Sequence, residues 1–338
     1  MTGYKIHQLD SISSEEKKMD FTGKRILITG GAGYLASGLI SMLKDLSCRI
    51  IRLDYPGAVF LPVHGEARVE DVKGDLREHN TIEGVLEGVD IVFHFAAQTS
   101  TYVANENPFD DLHSNVVPIL HLLESCRRHN WHPSVLFAST VTIAGIPVYL
   151  PVDENHPENP ITVYDLHKLM SETYLKFYVK QKIVDGASLR LSNVYGPGPK
   201  SSRSDRGILN QMIRKALAGE VLTVYGEGNQ LRDYVYIDDV AMAFLAAAGN
   251  IEQINGEHFV IGSGQGSTIT NAMNTVADRA ASRTGKRVEV KHIEPPSLQS
   301  PIESRNFVAD TGKFSEATGW KARYTLVEGV NHTVDSFI

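Results

Sequence analysis

The residues whose types and spacing could do chemistry begin with a tyrosine and a lysine four positions apart, in Tyr164-Asp-Leu-His-Lys168. On a helix that spacing puts the phenol and the ammonium on one face. A free tyrosine has a pKa near 10 and is a poor base at neutral pH. A cation about 5 Å away, at an effective dielectric of about 20, favours the phenolate by about 3 kcal/mol, roughly two pKa units. Upstream, Thr140 sits in Ala138-Ser-Thr-Val-Thr-Ile-Ala-Gly145, where its hydroxyl could meet a substrate oxygen as the proton leaves. Both features also have a plain reading. Tyr-x-x-x-Lys decorates many solvated helices, and hydroxyls that follow a strand often satisfy turn backbone.

A second constellation lies near the start, in Thr29-Gly-Gly-Ala-Gly33-Tyr-Leu-Ala36. Gly30 and Gly33 would let backbone approach a diphosphate, whose charge then meets the first amides of the following helix, Tyr34 and Leu35 among them. Ala36 stands where such turns usually carry a third glycine. By itself the turn could be only a turn. Asp54 closes the next apolar run, where a carboxylate accepts hydrogen bonds from an adenosine ribose and repels a 2′-phosphate, favouring NAD over NADP. Arg52 could attract that phosphate, but alternation along a strand sends it to the opposite face. Asp75 and Leu76, in Lys73-Gly-Asp-Leu76, are placed against the adenine or simply close a strand.

These residues must be held by regular elements. Short apolar runs at Arg25-Ile-Leu-Ile-Thr29, Arg49-Ile-Ile-Arg-Leu53, Ile91-Val-Phe-His94, Val135-Leu-Phe-Ala138 and Ala187-Ser-Leu-Arg190 alternate with helical patterns. That rhythm predicts parallel strands joined by helical crossovers, an α/β doubly wound sheet. Helices are expected over about 114–129 and 163–182. After about Asn193 the rhythm changes, first to a loop rich in Gly, Pro, Ser and Arg over 195–207. The expected organisation is a polar lead-in over 1–20, a dinucleotide-binding domain over 21–193 with segments of about 230–262 returning to it, and a smaller α/β lobe over 194–338.

Composition bounds the function. The 338 residues are 42% hydrophobic and 22% charged, as in ordinary globular proteins. The formal net charge of -7 argues against nonspecific binding to nucleic acid or an anionic membrane. Cys48 and Cys126 are too few for a disulfide framework and lack zinc-site spacing, so a cytoplasmic place and no metal are expected. The lead-in carries Glu15, Glu16, Lys17 and Lys18 and no apolar core of a secretory signal. His94, within an apolar strand, reads as a core residue, and His121, His129 and His132 read as helix surface.

The whole pattern resembles the extended short-chain dehydrogenase/reductase family, in its nucleotide-sugar epimerase/dehydratase branch. The resemblance spans about residues 24–337. It rests on the motifs above and on Phe93-His-Phe-Ala-Ala97-Gln98, Ser114-Asn115-Val, Leu189-Arg-Leu-Ser-Asn193-Val-Tyr-Gly-Pro197-Gly, Tyr225-Gly-Glu-Gly-Asn-Gln-Leu-Arg232-Asp-Tyr-Val-Tyr-Ile-Asp-Asp239-Val and Val260-Ile-Gly-Ser-Gly264. The resemblance implies a Rossmann fold, NAD as cofactor, and Thr140, Tyr164 and Lys168 as the catalytic set. Lys168 would also hold the nicotinamide ribose. It further implies cofactor contacts at Ala96, Ala97, Gln98 and Asn115, with Thr142, Asn193, Arg232 and Arg305 meeting a nucleotide-diphosphate sugar.

The same family's 4,6-dehydratases carry Asp-Glu after the threonine, where this chain has Val141 and Thr142, so elimination is disfavoured. Decarboxylation that uses a glutamate at Thr142's position is disfavoured likewise. Between Tyr164 and Lys168 the chain has Asp-Leu-His where the family more often has Gly and Ser. The expected function is epimerisation, chiefly at C4, through transient oxidation of the sugar. Net reduction or dehydrogenation, C2 epimerisation and a noncatalytic nucleotide sensor are the alternatives. The two long helices also resemble the pairs through which family members dimerise, so a homodimer is expected.

Overall fold

In a computed structural model the described residues are 20–199, 207–295 and 300–338. The first half supplies strands β1 (Arg25–Thr29), β2 (Arg49–Asp54), β3 (Arg68–Lys73), β4 (Ile91–His94), β5 (Ser134–Thr140) and β6 (Asp185–Leu191). The second half adds β7 (Asn193–Tyr195), β8 (Leu222–Tyr225), β9 (Leu231–Tyr236), β10 (His258–Ile261), β11 (Gly266–Thr268) and β12 (Val290–Ile293). Seven strands form one sheet in the order β10-β6-β5-β4-β1-β2-β3, with every neighbouring pair parallel. A parallel sheet needs helical crossovers on both faces, which is why its central runs are apolar throughout. Ile26, Leu27 and Ile28 of β1 are accordingly fully buried.

The chain leaves β1 for β2 and β3 on one side, then returns to β4 on the other. A crevice for a ligand opens where the winding reverses, at the carboxyl ends of β1 and β4. The helix Tyr34–Leu43 starts at that point. Its closest approach to a neighbour is made by Gly38, where a Cβ would lie 2.6 Å from Ile237 Cγ1. The small residue that packing demands is thus two positions beyond Ala36.

The run expected as one helix over 114–129 is two. A helix Pro108–Asn115 ends, and a second, Val117–His129, begins with Pro118 in its first turn. Proline lacks the N–H that would continue the first helix but fits the start of the next. The longer helix, Val163–Lys180, is started by a reciprocal cap between Thr162 and Asp165. Beyond residue 193, β11-β9-β7 and β12-β8 form two small sheets. The helices Ile208–Ala218, Ile269–Thr284 and Leu326–Phe337 pack a separate core with them. Within 230–262, the helix Ile237–Gly249 and β10 join the large sheet's core, whereas β9 belongs to the smaller three-stranded sheet. No described helix is long and apolar enough to cross a membrane.

Candidate active site

Strand β5 delivers Thr140 as its last residue and runs directly into a single 3-10 turn, Val141–Ala144. Thr140 Oγ1 caps that turn by accepting from the Thr142 N–H at 3.2 Å. The helix Val163–Lys180 then buries Tyr164, Asp165, His167 and Lys168 together in its first two turns. Burial pushes the Lys168 ammonium down to about 7, against the opposing attraction of Glu172 and Asp111. Its Nζ lies 4.1 Å from the centre of the Phe137 ring. His94 is buried beneath, as expected of a core residue, with Nδ1 2.9 Å from Thr29 Oγ1. Burial and then the charge of Lys168 drive His94 down to about 3, so it stays neutral.

Two carboxylates in this region had no role assigned from the sequence. Thr140 Oγ1 and Thr142 Oγ1 are 2.8 Å apart, and Thr142 in turn donates to Asp165 Oδ1 at 2.5 Å. The other Asp165 oxygen accepts from the Thr162 N–H at 3.2 Å. Burial raises the Asp165 carboxyl, while hydrogen bonds from Thr142 and Thr162 and the charge of Arg305 oppose that rise. Asp111 is the second carboxylate. It is 1% exposed and accepts from Gln98 Nε2 at 2.7 Å and Asn115 Nδ2 at 2.9 Å, with His167 Nδ1 2.7 Å from its other oxygen. The signal for both was the departure between Tyr164 and Lys168, where Asp165 and His167 replace smaller residues.

The dinucleotide crevice is built from backbone. Gly30 has φ 68°, and a Cβ there would lie 2.9 Å from Ala96 N; a Cβ on Gly33 would lie 2.9 Å from Gly30 O. The Ala96 N–H is held by Thr29 Oγ1 at 3.2 Å. Tyr34 sends its side chain away, donating to Gly196 O at 3.0 Å, and Leu35 packs into the core. Asp54 accepts from the N–H groups of Ala32 at 2.9 Å and Tyr55 at 2.8 Å. Arg52 is turned to the other face and fully engaged, with Nε and Nη2 on Asp71 at 2.6 and 2.8 Å and Nη1 on Leu61 O. Asp75 is paired with Arg77 at 2.5 Å, which holds its carboxyl below the usual range, and Leu76 is buried beside it. Ala97 is half-buried next to Gln98, whose amide donates to Ser100 O at 2.8 Å. Asn115 donates to Gln98 O at 3.0 Å, and its own Oδ1 is buried without a partner among the described residues.

The second lobe contributes two buried arginines. Arg232, on β9, donates to Glu303 O at 2.7 Å and also to the carbonyl of Arg305. Arg305 donates from Nη1 to Ile302 O at 2.8 Å, while its Nε is buried with no partner among the described residues. Burial, then the neighbouring charge of Arg232, lowers Arg305 to about 10. The Glu303 carboxylate lies 3.7 Å from Arg232, and two buried cations beside that one carboxylate favour a further anion. Asn193 starts β7 and pairs in register with Tyr234 of β9, two residues from Arg232. Among the described residues Glu158, Glu172 and His258 could face one metal ion, but Arg190 sits on both carboxylates.

A family model described as the NAD dependent epimerase/dehydratase family matches residues 26–262. The chain belongs to that family. A putative UDP-glucose 4-epimerase of Methanocaldococcus jannaschii is 32% identical over 311 residues, 92% of this chain and 97% of that protein. A crystal structure of UDP-glucose 4-epimerase with UDP-glucose, from Thermotoga maritima, superposes with TM-score 0.81 at 28% identity, covering 93% of this chain and 98% of that one. The Thermus thermophilus UDP-glucose 4-epimerase in complex with NAD superposes with TM-score 0.79 at 30% identity, again covering 93% and 98%. NAD is the cofactor of the family, and the residues present suit it. At Gly30 and Gly33 a Cβ would press on the backbone of Ala96 and Gly30, so the turn after β1 is bare backbone ahead of a helix N-terminus, and the Asp54 carboxylate at the end of β2 is bonded to that turn at Ala32, an arrangement that suits a dinucleotide.

Proposed function

We propose that this chain is an epimerase of a uridine-diphosphate hexose, acting at C4. The observation that carries the proposal is the shared burial of Thr140, at the end of β5, with Tyr164 and Lys168, in the first two turns of the helix Val163–Lys180. Thr140 is linked through Thr142 and Asp165 to the field of Arg305, whose Nε has no partner among the described residues. A sugar held by its diphosphate on Arg232 and Arg305, with Asn193 beside it, would extend toward the first turn of the helix Val163–Lys180.

NAD, when bound, supplies a reversible two-electron oxidation. Gly30, Gly33 and the amides of Tyr34 and Leu35 would hold its diphosphate, and Asp54 its adenosine ribose. Asp75 and Leu76 would border the adenine, with Ala96, Ala97, Gln98 and Asn115 along the crevice. Lys168 would bind the second ribose and, while charged, lower the cost of ionising Tyr164. Tyr164 takes the proton from the reacting hydroxyl and later gives it back, and Thr140 holds the same oxygen. Between those steps the ketone turns, so that reduction returns the opposite configuration. Val141 and Thr142 place no carboxylate of their own next to the substrate, which speaks against elimination or decarboxylation.

The enzyme is proposed to act in the cytoplasm as a homodimer. Leu166 and Phe177 are 46% and 55% exposed on the helix Val163–Lys180, an apolar surface that a second copy would cover. Incubation with UDP-glucose and with other uridine-, cytidine-, guanosine- and thymidine-linked sugars, followed by separation of the products, tests the function. The expected product of UDP-glucose is UDP-galactose, with no net consumption of NAD. Tyr164→Phe should lower kcat by about 10²–10⁴-fold while leaving nucleotide-sugar binding in place. Stoichiometric consumption of NAD would make the enzyme a dehydrogenase instead, and a wild-type protein inert toward all these sugars would overturn the proposal.

A further inference from the structure

Asp165 does more than cap its helix. We propose that it is a second proton acceptor of the site, acting on the substrate's reacting hydroxyl through Thr142 and Thr140. The proposal rests on the reading that Thr140 contacts that hydroxyl.

Donor and acceptor counting sets the direction of the chain. An ionised carboxylate only accepts, so across the 2.5 Å contact Thr142 must be the donor to Asp165. Its single hydrogen is then used, and at 2.8 Å Thr142 Oγ1 can only accept from Thr140. The hydrogen of Thr140 therefore points inward. Of the two lone pairs on Thr140 Oγ1, one already takes the Thr142 N–H. The other is left to accept from a substrate alcohol.

When Tyr164 is replaced, or already holds a proton, oxidation of that alcohol can send its proton inward instead. The proton of the sugar hydroxyl passes to Thr140 Oγ1, the proton of Thr140 to Thr142 Oγ1, and that of Thr142 to Asp165 Oδ1. Three O–H bonds break and three form, Asp165 changes from anion to neutral acid, and the C–H electron pair is taken by the nicotinamide dinucleotide that the family binds. Thr140 now presents a hydrogen outward, where the new carbonyl oxygen accepts it. Reduction runs the same chain in reverse. Both oxidation states of the sugar carbon are therefore held by the same hydroxyl, with Asp165 storing the proton between them.

The surroundings of Asp165 suit that task. The residue is fully buried, which favours its neutral form, and the Thr162 N–H fixes its second oxygen. Arg305 faces it from the C-terminal segment, and Lys168 stands one turn along its own helix; the turn Val141–Ala144 brings hydroxyls and no charge. Asp165 does not touch the substrate; it acts through Thr142 and Thr140, taking up a proton and returning it.

UDP-glucose epimerisation as a function of pH, in single and double variants, tests the chain. Thr142→Val cuts the chain but keeps both bonds between Asp165 and Thr162, so its result does not depend on a weakened helix cap. In a Tyr164→Phe background, Thr142→Val and Asp165→Asn should each lower the residual kcat at least about 10-fold with KM within about twofold, and Thr142→Ser should restore most of that rate. Because both act on one path, the double variant should be no slower than either single one. In a Tyr164→Phe background the residual rate should fall as pH drops through the Asp165 pKa, and Thr142→Val should erase that limb. An undiminished residual kcat in Tyr164→Phe with Thr142→Val added, or losses that multiply when Asp165→Asn is added as well, would reduce Asp165 to a cap while leaving the epimerase reading intact. A wild-type enzyme inert toward every sugar nucleotide would overturn both.

Discussion

Lys168→Met should inactivate the enzyme and, at neutral pH, make the folded protein more stable. The ammonium is driven from an ordinary lysine value near 10.5 to about 7, chiefly by burial. At roughly 1.36 kcal/mol per pH unit, keeping that charge inside costs the fold about 5 kcal/mol, a figure that already includes the attraction of Glu172 and Asp111. Methionine fills a similar volume but gives up the contact with Phe137, about 0.5–2 kcal/mol. A net gain of about 3 kcal/mol is expected at pH 6–7. The sign of its pH dependence follows from proton counts. Between about pH 7 and 10.5 the unfolded chain keeps the proton that the folded chain has released, so wild-type stability climbs with pH and the gap to the variant closes. Urea unfolding midpoints of the two proteins from pH 6 to pH 10, with kcat on UDP-glucose measured alongside, test this. A variant less stable than wild type at pH 6–7, or a gap that stays constant with pH, would refute the assignment of Lys168 as a strained, desolvated cation.

Other outcomes are as specific. Gly30→Ala places a Cβ 2.9 Å from Ala96 N at φ 68°; it should cost about 1–3 kcal/mol of stability and remove the NAD(H) otherwise released when purified protein is denatured. Asp54→Ala should narrow the preference for NAD over NADP, read by titrating each, because the carboxylate no longer repels a 2′-phosphate. Arg305→Met should raise the KM for UDP-glucose about 10–100-fold with a smaller effect on kcat, as expected for loss of charge-assisted hydrogen bonds to a bound diphosphate.

The strands were legible because a parallel sheet buried on both faces leaves apolar runs that need no partner to be recognised. The runs at Arg25–Thr29 and Ile91–His94 coincide with β1 and β4. Alternation was legible too: Arg52 was expected to turn away from Asp54, and it is clamped on Asp71. The break at Pro118 was readable from the proline alone, yet the helical periodicity on both sides of it concealed the interruption. What the sequence hid were pairings between distant polar residues. Asp111 meets His167 across 56 positions and Asp165 meets Thr142 across 23, and neither separation leaves a periodic trace. The glycine that packs the first helix was displaced for a similar reason, since Gly38 is required by Ile237, which arrives some two hundred residues later.

UDP-glucose carrying deuterium at C4 gives the most direct measurement of whether one carbon is oxidised and reduced within a single binding event. UDP-galactose that retains its deuterium at C4, with no reduced dinucleotide accumulating, is the predicted result. Deuterium lost to solvent, or one reduced dinucleotide formed per molecule of product, would contradict it.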